Sequence, residues 1–341
     1  MSTANILVLG ASGYTGAETV RLLARHPNMR IAALTADRKA GQEMASVFPH
    51  LGVLDLPTLQ RVEDLDLSAY DGVVCCLPHG TTQETVAAIP ASVKVADLSA
   101  DFRLSLDDYK KWYGADHKAP ERQKDAVYGL TEHYRDAVKA ANLVAVPGCY
   151  PTSALNPLIP LIKAGAIDLD DIVVDAKSGV TGAGRAPAEG KLHTEVSEGF
   201  HAYGVGHHRH MSELDQELGK AAGRDVMAAF TPHLLPMNRG ILSTIYVKGE
   251  AQAIHQVLAE RYRDEYFVGV LPFGEVPATR HVRGSNHQLI GVVADRRPGR
   301  TIIVSVLDNL VKGAAGQGLQ NLNLMLGLDE TAGLQQAPLF P

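Results

Sequence analysis

Five short runs rich in β-branched residues punctuate the first 150 positions: ILVLG (6–10), RIAALT (30–35), DGVVCCLP (71–78), VKVADLS (93–99) and NLVAVPG (142–148). Stretches of helical periodicity separate them. A chain that alternates in this way pairs its strands in parallel, because a crossover helix must carry it back before each new strand begins. The first half is therefore expected to be an α/β domain with a parallel sheet. Val20, Leu22 and Leu23 give the first crossover helix, over about 15–26, its apolar side, and His26-Pro27-Asn28 stops it.

Beyond Cys149 the rhythm changes. A helix over about 151–164 is followed by strand-like runs near 171–176, 240–248, 287–295 and 300–307, with RRPGR (296–300) joining the last two as a hairpin. Ile254, Val257 and Leu258 recur at helical spacing within 250–266. This half reads as α+β with a mostly antiparallel sheet. The tail LVKGAAGQGLQNLNLML (310–326) returns to helical spacing, and its small residues allow close packing. Two domains are expected, 1–148 with 310–341, and 149–309 between them.

GASGYTG (10–16) follows the first strand and opens the first helix. Gly10, Gly13 and Gly16 permit close backbone approach, and the amides of Ser12, Tyr14 and Thr15 at a helix start suit a phosphate. At the end of the second strand, in ALTADRKAG (33–41), Arg38 and Lys39 supply the positive charge that a 2′-phosphate needs, with Asp37 beside them. The expected cofactor is thus NADP(H). Pro78, in the LPHG loop after the third strand, is expected to line the same pocket.

The chain has only three cysteines, and two of them, Cys75 and Cys76, are adjacent inside an apolar strand where they read as packing. Cys149, in PGCYPT, stands at a helix start, where partial positive charge favours thiolate and free amides can hold an oxyanion. It is the expected nucleophile. GHHRHMSE (206–213) offers His207, His208 and His210 as proton carriers, with metal ligation as a rival use; no accompanying carboxylate or cysteine cluster has ligand spacing, so no metal is expected. The choice between His208 and His210 stays open, leaning to His208. Arg103, Arg185 and Arg239 are candidate cations for an anionic substrate.

A formal charge of -6, from 32 basic and 38 acidic residues, offers no basic face for nucleic acid. The apolar runs are too short to span a bilayer, and MSTANILVLGASG runs directly into a strand without a secretory pattern. A cytoplasmic protein with a small-molecule substrate is expected, without nucleic-acid or membrane partners.

These segments together closely resemble the N-acetyl-gamma-glutamyl-phosphate reductase family of the semialdehyde dehydrogenases, over nearly the whole chain. The markers are GASGYTGAE (10–18), DLSADFRL (97–104), VYGLTE (127–132), VPGCYPTSALNPL (146–158), KSGVTGAGRAP (177–187), HHRHMSEL (207–214), PHLLPMNRGILST (232–244) and DNLVKGAAGQ (308–317). The resemblance implies a Rossmann-like cofactor domain and an α+β domain for catalysis and dimerisation, assembled as a homodimer or homotetramer. It also implies NADPH-dependent reduction of an acyl phosphate through a thioester on Cys149, with the HRH segment as acid/base and Arg103 near the phosphate. Ser178, Gly179 and Asn309 are implied cofactor contacts. Reduction of aspartyl or aminoadipyl phosphate, and a non-catalytic dinucleotide sensor, are the alternatives.

Overall fold

The computed structural model describes residues 3–340. Its internal contacts divide the chain into two units, one running to Pro147 and including Ala314–Gln335, the other comprising Gly148–Gly313 and the residues from Gln336 onward.

The first unit is built on a seven-stranded parallel sheet. Its strands are β1 (Ala4–Leu9), β2 (Met29–Thr35), β3 (Leu59–Gln60), β4 (Gly72–Cys75), β5 (Lys94–Asp97), β6 (Ala126–Tyr128) and β7 (Leu143–Ala145), in the order β3-β2-β1-β4-β5-β7-β6. Leu7, Leu9, Val73, Cys75, Val95, Leu143 and Ala145 are all buried in one core cluster, as the continuous apolar runs require of strands covered on both faces. The order reverses direction between β1 and β4, where open parallel sheets hold their ligands.

Helix Gly316–Met325 is buried at every residue although four of its ten side chains are amides. The partners found by three of these four groups make such an interior tolerable. Asn321 accepts from Thr131 Oγ1 at 2.7 Å and donates to Gly129 O at 2.9 Å, Asn323 meets His26 Nε2 at 3.0 Å, and Gln320 donates to Glu132 at 3.1 Å.

The second unit holds a mixed sheet of β8 (Val173–Gly179), β9 (His201–Ala202), β10 (Ala229–Leu235), β11 (Ile241–Lys248), β12 (Val268–Val270), β13 (Gln288–Ala294) and β14 (Arg300–Leu307), ordered β12-β13-β14-β11-β8-β10-β9. The pairs β8–β10 and β12–β13 are parallel and the others antiparallel. Burial alternates along β11 and over most of β14. Ile245 and Ile303 face the helices Cys149–Lys163 and Ala251–Tyr262, while Leu242, Tyr246, Ile302 and Val304 lie on the half-buried opposite face.

The tail is not the single returning segment expected from residue 310. Leu310, Val311 and Gly313 remain in the second unit because their amides bond to Asp308, and Leu339 is tied there by its N–H to Arg283 O. The helix expected over 310–326 accordingly begins as a π-turn at Val311–Ala315 and becomes α-helical only from Gly316.

Candidate active site

Cys149 is the first residue of its helix, two positions earlier than the proline-based expectation, with Gly148 as its cap. Pro151 is tolerated because the first-turn N–H groups have no intrahelical partner in any case. Pro157 and Pro160 are interior, so each strips a hydrogen bond from the carbonyl four residues earlier. The freed Ser153 carbonyl accepts from Gln288 Nε2 at 3.3 Å, and the freed Asn156 carbonyl accepts from the Tyr262 hydroxyl. Gln288 is in turn held by Asn156 Nδ2 at 2.6 Å and by Ser305 Oγ at 2.9 Å. The helix that presents Cys149 is thus completed by side chains from other elements.

The three cysteines differ sharply. Burial, aided in the first case by Asp97, pushes the Cys75 and Cys76 thiols up, Cys76 to about 12, so neither is a nucleophile near neutral pH. Cys149 is half-buried at a helix N-terminus. Its approach is crowded by Gly313, where an added Cβ would lie 2.7 Å from Cys149 Cβ, so only glycine fits the π-turn there. Single π-turns of this kind recur at functional sites.

The two histidines fill distinct places. His208 lies among aromatic rings, with centroids 5.9 Å from Tyr150, 5.3 Å from Tyr203 and 5.6 Å from Phe230, and its Nδ1 accepts the His210 amide at 3.1 Å. Burial, then the positive charge of Arg209, lowers its pKa to about 4. It is a neutral packing group at pH 7. His210 begins the helix His210–Ala222, and its Nε2 packs on Gly148, within 2.6 Å of where a Cβ would stand. Glu213, one turn on, accepts the Gly148 amide at 2.9 Å and has an oxygen 3.9 Å from His210 Nε2. The geometry therefore puts His210, rather than the sequence-favoured His208, against the turn that carries the thiol. His207 is exposed. Glu213 escaped the sequence reading, although its place three residues after His210 on a helix is a readable signal.

Ser178, Gly179, Arg239 and Asn309 are brought together in the second unit. A Cβ on Gly179 would stand 2.8 Å from Arg239 N. Asn309 accepts from Gly240 N at 2.8 Å and donates to Thr181 Oγ1 at 2.9 Å, which makes it a tie between loops. The Tyr150 hydroxyl donates to His233 O at 3.1 Å, and its pKa is driven far up by burial first and then by Tyr203. Arg239 lies 3.5 Å from the buried Asp308, and Arg185 is on the exposed stretch after Gly184. In the first unit, Arg103 is buried and donates from Nε to Val146 O at 2.8 Å and from Nη2 to Leu98 O at 2.9 Å. The first of these bonds holds the backbone just before the Cys149 turn, and the second the residue after β5.

The glycine turn fits a dinucleotide's phosphates. Gly10 has φ +75°, and a Cβ there would meet Cys76 O at 2.7 Å; one on Gly16 would strike the Gly10 carbonyl. Gly13 caps helix Tyr14–Leu23 without a side chain, leaving Ser12, Tyr14 and Thr15 half-buried around an uncapped helix start. Arg38 and Lys39 are exposed, and their side chains bond to no described residue. Pro78 is exposed in the loop after β4.

Fold and site together define a dinucleotide-dependent oxidoreductase. Residues 5–141 match the model of the semialdehyde dehydrogenase NAD binding domain and residues 149–309 that of the semialdehyde dehydrogenase dimerisation domain. The chain belongs to the semialdehyde dehydrogenase family. It is 61% identical to a Rhodospirillum rubrum protein and 59% identical to one from Cereibacter sphaeroides, both named N-acetyl-gamma-glutamyl-phosphate reductase, with 99% of each chain covered. Among solved structures it is similar to aspartate semialdehyde dehydrogenase II from Vibrio cholerae (TM-score 0.73, 18% identity, 96% of this chain and 99% of that one). It is also similar to the Candida albicans aspartate semialdehyde dehydrogenase with NADP (TM-score 0.70, 17% identity, 95% and 99%). These two likenesses speak for the fold alone. Among the described residues, no helix is long and apolar enough to cross a membrane.

Proposed function

We propose that the chain reduces N-acetyl-gamma-glutamyl phosphate to N-acetylglutamate semialdehyde and phosphate with NADPH, through a thioester on Cys149. The observation that carries the chemistry is the half-buried thiol at a helix start, with His210 packed against the preceding glycine. The substrate comes from the relatives' name at about 60% identity over the full length.

Cys149 Sγ adds to the acyl carbon, assisted by the positive end of its helix, and the carbon–oxygen bond to phosphate breaks as the thioester forms. The dinucleotide, when bound, supplies the hydride that reduces this thioester. Cys149 then departs as thiolate from the tetrahedral adduct, and His210 carries the proton to and from its oxygen. Glu213 holds His210 and Gly148 in register. Arg103, Arg185 and Arg239 are the cations offered to the substrate's anionic groups, and Arg38 and Lys39 those offered to the 2′-phosphate.

In this reading the first unit, with its helix Gly316–Met325, serves the cofactor, and the second serves catalysis and assembly. Two or four copies associate through the half-buried sheet face of Leu242, Tyr246, Ile302 and Val304, in the region that matches a dimerisation domain. A cytoplasmic location suits the biosynthetic role of this reading.

The test is the reverse reaction: N-acetylglutamate semialdehyde, phosphate and NADP should yield NADPH, and aspartate semialdehyde should not. The Cys149→Ser variant should bind NADPH and lose nearly all turnover. A preference for aspartate semialdehyde would refute the substrate, and an active serine variant would refute the thioester.

A further inference from the structure

His79 stands in the loop after β4 and takes no part in the chemistry above. Its Nδ1 lies 2.6 Å from Asp101 Oδ1. Asp101 is fully buried and also accepts from Gly80 N at 2.8 Å, from Thr82 N at 3.1 Å and from the Thr82 hydroxyl. Burial would raise this carboxyl, but the bonds from His79, Thr82 and Gly80 outweigh it and hold it at about 2. An ionised carboxylate on Nδ1 fixes both the orientation and the tautomer of the ring. Tyr113 sets its plane, with centroids 4.3 Å apart, and is itself stacked on Tyr109 at 4.7 Å. The ring remains 27% exposed, and Nε2 has no partner among the described residues.

A buried carboxylate, two stacked tyrosines and a glycine amide therefore hold one imidazole nitrogen toward solvent. Its location indicates the ligand. β4 is hydrogen-bonded to β1, with Cys75 opposite Leu9, and Gly10 of the phosphate turn touches Cys76. Arg38 and Lys39 follow β2, on the far side of β1. A dinucleotide laid across this point, with its pyrophosphate on the turn and its adenosine toward β2, brings its other half over the loop after β4.

We infer that His79, oriented by Asp101, binds the hydroxyls of the nicotinamide-side ribose through Nε2. With Asp101 Oδ1 2.6 Å from Nδ1, a neutral ring keeps its proton on that side and offers Nε2 as an acceptor; a ribose hydroxyl can donate to it, or accept from the protonated ring. Asp101 is the positioning residue. This inference rests on the dinucleotide reading above.

The experiment is fluorescence titration of NADPH and NADH, with 2′,5′-ADP bound competitively as a probe of the adenosine half alone. His79→Phe keeps the stack on Tyr113 and removes the nitrogen. It should raise the dinucleotide Kd about tenfold, as loss of one hydrogen bond of about 1.4 kcal/mol implies, and leave 2′,5′-ADP within twofold. His79→Gln should recover part of the loss. Unchanged dinucleotide affinity in His79→Phe, or an equal loss of 2′,5′-ADP, overturns the inference. A wild type that prefers NADH would refute only the 2′-phosphate reading, since the His79 effect is then read on NADH.

Discussion

Glu213 accepts the backbone N–H of Gly148 at 2.9 Å from inside the protein, where it is 2% exposed. One carboxylate thereby joins the helix that bears His210 to the turn that bears Cys149. Removing it in Glu213→Ala strands a buried amide and should cost about 1–3 kcal/mol of stability. Glu213→Gln retains an acceptor and should melt closer to wild type, with turnover reduced through the histidine. Equal melting temperatures for alanine and wild type would show that the tie is dispensable.

His208 and His210 should separate cleanly. His210→Asn should lower kcat by about a hundredfold or more with little change in substrate KM, as for a lost acid/base. His208→Asn keeps an acceptor for the His210 amide and should retain most turnover.

The same variant carries a pH signature. In the wild type the fold favours neutral His208, whose pKa is lowered from 6.5 to about 4. Its contribution is full above pH 6.5 and is lost as the pH falls through about 4. Thermal melts of His208→Asn should therefore fall less steeply than wild type across that window. Parallel curves would mean that His208 is not held neutral.

Arg38→Ala should raise the NADPH KM about tenfold to a hundredfold and leave NADH alone, because charge-assisted bonds contribute about 1.5–3 kcal/mol. An equal effect on both dinucleotides would remove Arg38 from the 2′-phosphate site.

Gln288→Leu leaves Ser153 O, Asn156 Nδ2 and Ser305 Oγ without their shared partner, all inside the core. It should destabilise the protein by at least about 2 kcal/mol, more than Tyr262→Phe, which frees only the Asn156 carbonyl. Urea denaturation compares the two directly.

Much of this architecture is legible in the sequence. The long apolar strands of the parallel sheet announce themselves because both faces are covered, and the hairpin of β13 and β14 because RRPGR marks its turn. The two-residue β3 and three-residue β6 carry too little pattern to register. β10 hides behind Pro232, which looks like a strand breaker but sits in register opposite Ala176. β8 reads two residues early because Asp175 and Lys177 on its half-exposed face mask the alternation. At the site, the cysteine and the glycine turn are local signals. The choice between the two histidines is not, since it depends on which ring lands among Tyr150, Tyr203 and Phe230 and which on Gly148.

The prolines at 157 and 160 bear on how much of the chain the Cys149 helix needs. A fifteen-residue helix is marginal by itself, and two interior prolines each make it worse by about 3 kcal/mol. What restores it arrives late in the chain: Tyr262 lies 106 residues beyond the carbonyl it caps, and Gln288 lies 135 beyond its own. The helix that carries Cys149 is therefore complete only with the residues up to Gln288, and a chain that stops short of them lacks both bonds that answer its prolines.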